Sequence, residues 1–183
     1  MINDTIVQFV CFVTNLEREE FTKEWERYAK RLKGKNCELT LHQQTPDSKN
    51  RYRYVSRHEW PDRDFNFSFM NEKKSEHFPE HIVKVVQIGG YKPLQAQTAH
   101  PFQKGDINLI AFISHNENDI DFYKKLPLFR HLDIHQAYYE NSSYGYVLQY
   151  TVPAKDADEL MQILKQRPGV ESGIYKECLV PNL

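Results

Sequence analysis

Residues 51–69, RYRYVSRHEWPDRDFNFSF, change their hydrophobic period halfway, and that change decides the fold. Before the proline, Tyr52, Tyr54, Ser56, His58 and Trp60 alternate with Arg53, Val55, Arg57 and Glu59, so the two sets fall on opposite faces of a strand. After it, Phe65 and Phe69 stand four apart, the spacing of one helix face. A strand that runs into a helix through Trp60-Pro61-Asp62, with aromatic rings on the inner side of both, is the middle of a β-β-α unit.

Upstream, residues 6–13 form an apolar run suited to a buried strand. Asn15 is then placed to cap a helix whose first turn carries Glu17, Glu19 and Glu20, where the helix dipole favours negative charge. Phe21, Trp25, Tyr28 and Leu32 recur along it, and Gly34 is a natural stop. Residues 38–44 alternate again and TPDSKN supplies a turn, completing a hairpin with residues 51–60. A second helix is expected over about 62–71, with a further turn near 75–79, then a last strand over 82–88. The order β-α-β-β-α-β is the ferredoxin-like arrangement.

Residues 94–106, LQAQTAHPFQKGD, lack apolar periodicity and read as a linker. Beyond them the pattern restarts, with strands over 107–114, 131–139, 144–152 and 170–180 and helices over 117–129 and 154–166. Leu160, Ile163 and Leu164 point inward on the last helix. Pro153 follows the third strand of this half as Pro61 does in the first, each opening a helix. The chain is thus an α+β protein of two ferredoxin-like repeats, residues 1–93 and a degenerate 107–183.

The totals are those of a folded domain. Of 183 residues 40% are hydrophobic and 13% aromatic, enough for a packed core, and the formal net charge of -1 gives no general attraction to nucleic acid. No apolar run reaches the roughly 18–20 residues of a membrane span. The N-terminal stretch has no basic leader pattern, and three cysteines without a CxxC pair suit a reducing, cytoplasmic setting.

The first half resembles the antibiotic biosynthesis monooxygenase family, small ferredoxin-like proteins whose sheets pair into an α+β barrel. The resemblance rests on the strand end Phe12-Val13, the helix with Phe21 and Trp25, the hairpin LTLHQQTPDSKNRYRYVSRHEW, and PDRDF with Phe78 beyond it, over about residues 5–92. It implies a dimeric-α+β-barrel architecture built within one chain, as a monomer with an internal pseudo-dimer or as a homodimer. It also implies a pocket between sheet and helices for a small aromatic or apolar molecule. Relatives that oxidise polycyclic phenols without a cofactor resemble this chain at Trp60 and carry an asparagine four residues earlier. Here that position is Ser56, a shorter donor. The resemblance therefore assigns Trp60, Ser56 and His58 as catalytic candidates, lined by Tyr52, Tyr54, Phe65 and Phe69, with no metal and no other cofactor. The alternative for Trp60 is core, burying a large ring where strand meets helix, and the alternative for the chain is a non-catalytic barrel acting in dimerisation or partner binding.

Haem-degrading relatives need a helix histidine, for which His77 and His81 are placed, an asparagine on the first strand and a tryptophan on the second helix. The last two are missing. His131 and His135 have helical metal-ligand spacing, yet in a strand they lie too far apart for a compact chelate. His42, His58 and His115 read as hydrogen-bonded structural residues. Aromatics on the central strands with Arg51, Arg53 and Arg57 nearby resemble an RNA-binding sheet only loosely, since the Gly-Phe-rich strand motif is absent and the other half would cover that face. In the second half Val152 takes the place of Trp60 and Leu148 that of Ser56, so the pocket is expected in the first.

Overall fold

A computed structural model describes residues 5–33, 35–64, 83–117 and 119–178. The second helix expected after Pro61, with Phe65, Phe69, His77, Phe78 and His81, falls mostly outside the described residues. Only its opening is seen, where Asp62 Oδ1 accepts from the Asp64 amide at 2.9 Å.

The strands of the first repeat are β1 (Ile6–Thr14), β2 (Glu38–Gln44), β3 (Tyr54–Trp60) and β4 (Val83–Thr98), with helix α1 (Arg18–Lys33). The second repeat has β5 (Ile107–Ile113), β6 (His131–Ala137), β7 (Tyr146–Val152) and β8 (Val170–Cys178), with the five-residue α2 (Ile120–Lys124) and α3 (Ala157–Lys165). Around the molecule they run β1-β3-β2-β8-β5-β7-β6-β4 and close into a barrel. Each repeat contributes a ferredoxin-like sheet, β4-β1-β3-β2 and β8-β5-β7-β6, and two seams join them, β2 to β8 and β4 to β6. The expected two-repeat α+β barrel is the fold.

Three boundaries differ most from the sequence reading. Helix α1 starts at Arg18, three residues past Asn15, so Asn15 is not its cap. Its carbonyl instead accepts from Arg53 Nη1 at 3.1 Å, while Arg53 Nη2 meets Glu17 Oε1 at 2.8 Å. The helix read over 117–129 is the short α2, capped by Asp119 Oδ1 accepting from the Phe122 amide at 3.2 Å. Strand β4 runs on to Thr98, so the first part of the stretch read as a linker is strand, paired through Gln95, Ala96, Gln97 and Thr98 with β6. Its polar, proline-bearing sequence hides this because the pairing partner lies in the other repeat. Pro93 sits where the register shifts, the place a residue without an amide donor is tolerated. The remaining connection is anchored as well, with Asp106 Oδ2 held by Arg130 Nε at 2.8 Å.

Strand β1 is buried on both sides because it lies between two cores. Ile6, Val10 and Phe12 face α1 and join Phe21, Trp25, Tyr28 and Leu32. Val7, Phe9 and Cys11 face the barrel lumen and join Val55, Tyr91, Ile110, Phe112, Val147 and Tyr175. A third core lies under α2 and α3, from Leu109, Leu148, Tyr150 and Val152 to Leu160 and Leu164. The sheet face that an RNA-binding module would present is turned into the lumen. Among the described residues no helix is long and apolar enough to cross a membrane.

Two features of this closure are testable. Gly89 has φ +122°, at the shift of register between β1 and β4, and a Cβ there would collide with Ser142, whose loop covers the strand through Ser143 N to Ile88 O at 2.8 Å. Gly89→Ala is expected to lower the unfolding free energy by about 1–3 kcal/mol in urea denaturation. In the lumen, His42 and His135 are each 2% exposed. Burial, aided by the charge of Arg57, lowers their pKa values from the ordinary 6.5 to about 4 and about 3. The unfolded chain therefore binds more protons than the folded one below about pH 6.5. Stability is complete above that pH and falls on acidification, by up to about 1.4 kcal/mol per pH unit for each ring. Replacing either histidine by phenylalanine should flatten the slope measured between about pH 6.5 and about pH 4.

Candidate functional site

Strand β3 alternates as its sequence requires. Val55 joins the lumen core, while Tyr54, Ser56, His58 and Trp60 turn toward α1 and are all fully buried. On that outer face one polar chain crosses an aromatic layer. Trp25 Nε1 donates to Ser56 Oγ at 3.2 Å, and Ser56 Oγ lies 2.8 Å from His58 Nε2. The Tyr28 ring lies tilted over the His58 imidazole, 5.7 Å between centroids. Gln8 of β1 stands opposite His58 in the strand register and is also fully buried.

The expected lining residues do not all meet here. Tyr54 is on this face but is packed, stacked on Phe21 at 3.9 Å with its hydroxyl donating to the Leu16 carbonyl at 3.2 Å. Burial holds its phenol above the ordinary tyrosine value. Tyr52 is on the other side. It precedes β3, where the alternation has not begun, and its ring enters the lumen against Phe112. Its hydroxyl lies 3.1 Å from that of Tyr144, which donates to Glu171 Oε2 at 2.8 Å. Phe65, Phe69, His77 and His81 lie outside the described residues. Trp25 and Gln8 were not singled out as site residues. Gln8 carries a sequence signal, being the one long polar side chain in the apolar run IVQFVCFV.

In the second repeat the equivalent positions on β7 are Leu148, Tyr150 and Val152, packed under α3 with no serine or histidine among them. Tyr150 closes its own hydrogen bond, donating to the Tyr123 carbonyl at 3.3 Å. The polar chain thus belongs to the first repeat.

The other histidines divide in two. His115 Nε2 lies 2.7 Å from the Ser142 carbonyl, and His131 is held between Thr98 Oγ1 at 2.8 Å and Asp133 Oδ1 at 3.1 Å. His42, expected to be hydrogen-bonded, has no partner at either ring nitrogen, because its strand aims it at the lumen. Among the described residues no three His, Cys, Asp or Glu side chains gather as a metal site. All three cysteines are free and buried, and burial pushes the Cys37 thiol up to about 12. Two open clefts lie along the β2–β8 seam. One, of about 590 Å³, is lined by Asp47, Asp106, Asp158 and Lys176, and the other, of about 550 Å³, by Glu17, Arg51, Arg53 and Lys176.

No protein-family profile matches the chain, and no curated protein matches it. Solved structures do. An anthrone oxidase-like protein superposes with a TM-score of 0.64 at 12% identity, over 97% of this chain and 93% of its own. A variant of chlorite dismutase from Candidatus Nitrospira defluvii, in complex with cyanide, gives a TM-score of 0.52 at 10% identity, over 96% and 92%. A candidate monooxygenase from Fusobacterium nucleatum gives 0.52 at 10%, over 97% and 94%. At such identities the likeness is one of fold, and it extends over both repeats. The chain shares the α+β-barrel fold of these structures, with both halves of the barrel supplied by one polypeptide.

Proposed function

We propose that the outer face of β3 binds a small hydroxylated aromatic molecule and that the protein oxidises it with dioxygen, using neither metal nor flavin. The observation that carries this reading is the buried chain Trp25–Ser56–His58. Burying a hydroxyl and an imidazole costs free energy that hydrogen bonds only offset. The second repeat packs the same face with Leu148, Tyr150 and Val152, so the fold itself does not need them. Polar groups kept inside an aromatic layer are what recognition of a phenol or an enol requires. The shared fold of an anthrone oxidase-like protein is consistent with that chemistry.

In this reading the roles are assigned from the hydrogen bonds. Trp25 occupies one lone pair of Ser56, and in the neutral His58 tautomer protonated at Nδ1 the serine proton is directed at Nε2, which accepts it. Ser56 then takes the substrate's proton and passes its own to His58. The substrate anion gives one electron to dioxygen, and the radical pair closes a carbon–oxygen bond to a peroxide, which recovers the proton. Loss of the second proton from the same carbon, with cleavage of the O–O bond, leaves a carbonyl and releases water. Trp60 forms the wall against which the ring lies.

The chain's two tryptophans are Trp25 and Trp60, both at this site, so intrinsic fluorescence reports on it directly. Titration with anthrone and naphthols should change that emission, and aerobic incubation should consume one dioxygen per carbonyl formed. His58→Gln is expected to keep binding while slowing oxidation by about 10²–10⁴-fold, the usual contribution of a positioned base. Binding without oxygen consumption would leave a ligand-binding barrel, and no emission change with any phenol would sink the reading. Trp60 is tested separately. Trp60→Phe should retain the melting temperature and lose ligand affinity, whereas a loss of about 3–5 kcal/mol in Trp60→Ala with unchanged ligand response in Trp60→Phe would make it core alone.

A further inference from the structure

The barrel lumen carries a second arrangement, on the opposite face of the same strand. His42 is the fifth residue of β2 and His135 the fifth of β6, in the related stretches Leu41-His42-Gln43 and Ile134-His135-Gln136. Around the barrel, β8, β5 and β7 separate these strands one way and β3, β1 and β4 the other, so the histidines stand on opposite walls. Both point inward. His42 opposes Val55 and His135 opposes Val147, each in the lumen core, and Phe9 meets the His135 ring edge-on at 5.4 Å. Arg57, opposite Phe9 in the register, shares that interior. Glu59 Oε2 holds its Nη2 at 2.8 Å.

Five buried nitrogens here have no hydrogen-bond partner: Nδ1 and Nε2 of His42, Nδ1 and Nε2 of His135, and Nε of Arg57. Buried polar atoms are ordinarily satisfied, so several unmatched ones facing the same barrel lumen point to a missing guest. A neutral imidazole has one N–H, so three donors are open, one from each residue, beside a guanidinium charge. The interior of an eight-stranded barrel is just wide enough for side chains to fill or to hold one small ligand. Beyond the effect of burial, the Arg57 charge also lowers both imidazole pKa values, and it would equally repel a metal cation. We propose that the lumen between His42, His135 and Arg57 binds a small inorganic anion, of halide or nitrate size. The site is separate from the outer face of β3 and stands whether or not that face is catalytic.

The test uses the unaltered full chain. The imidazole nitrogens are followed by NMR while sodium bromide is added, with sodium gluconate at equal ionic strength as a bulky control, and crystals grown in bromide are measured for anomalous scattering. Bromide should shift the His42 and His135 signals saturably while leaving His115 and His131 in place, and a bromide peak should lie within hydrogen-bonding distance of both rings. Arg57→Gln should weaken the response by roughly tenfold or more, the loss expected for one charge-assisted hydrogen bond. If the two signals stay still in bromide, or move equally in gluconate, or the lumen holds only water in bromide-grown crystals, the proposal is overturned.

Discussion

Closure of the sheet is the constraint from which the rest of the structure follows. A ferredoxin-like sheet has two edges with unpaired amides and carbonyls, and each repeat here satisfies the other's, β2 against β8 and β4 against β6. Strand β4 must be 16 residues long because it pairs with β1 along one stretch and with β6 along the next. The irregularities it needs are at Gly89 and Pro93, where the register shifts. Once closed, the barrel defines an enclosed lumen and an outer surface on which helices lie. Every strand residue then belongs to one or the other.

Strand β3 illustrates what that division does. Within seven residues it places Ser56, His58 and Trp60 beneath α1 and Val55 and Arg57 toward the lumen. Two polar environments are thus separated by the thickness of one backbone, each surrounded by aromatic rings. On the outer side the polar atoms form a bonded chain. On the inner side, His42 and His135 remain unmatched. The contrast comes from alternation alone, since adjacent residues cannot share a face.

The order of the elements was legible because each carries its own local period: the alternation of residues 54–60, the helical recurrence of Phe21, Trp25 and Tyr28, and the apolar run of β1. Two repeats were legible from the recurrence of that order and from Pro61 and Pro153. What depends on contacts distant in sequence was hidden. Strand β4 from Leu94 to Thr98 reads as part of a linker because its pairing partner lies in the other repeat. Tyr52 was placed with Trp60 by extending the alternation backward, but the chain there is irregular, its amide bonded to Asn50 Oδ1 at 2.8 Å, and the ring turns inward. Ser56, His58 and Trp60 were correctly placed on one face. The part played by Trp25 was not legible, because a helix periodicity gives the facing direction of an indole and not the atom its N–H will meet. His42 and His135 read as unrelated strand histidines, and only the barrel order makes them counterparts, with the shared His-Gln as the trace in the sequence.

Joining the repeats in one polypeptide has a consequence for how such a protein can vary. In a barrel made from two identical subunits, any substitution appears twice, so a residue that improves packing at one site must do so at the cost of the chemistry at the other. Here Leu148 and Tyr150 occupy one half while Ser56 and His58 occupy its counterpart. One half is free to be optimised as a scaffold, leaving the other to carry buried polar groups that cost stability. The covalent link turns a symmetric pair into a division of labour.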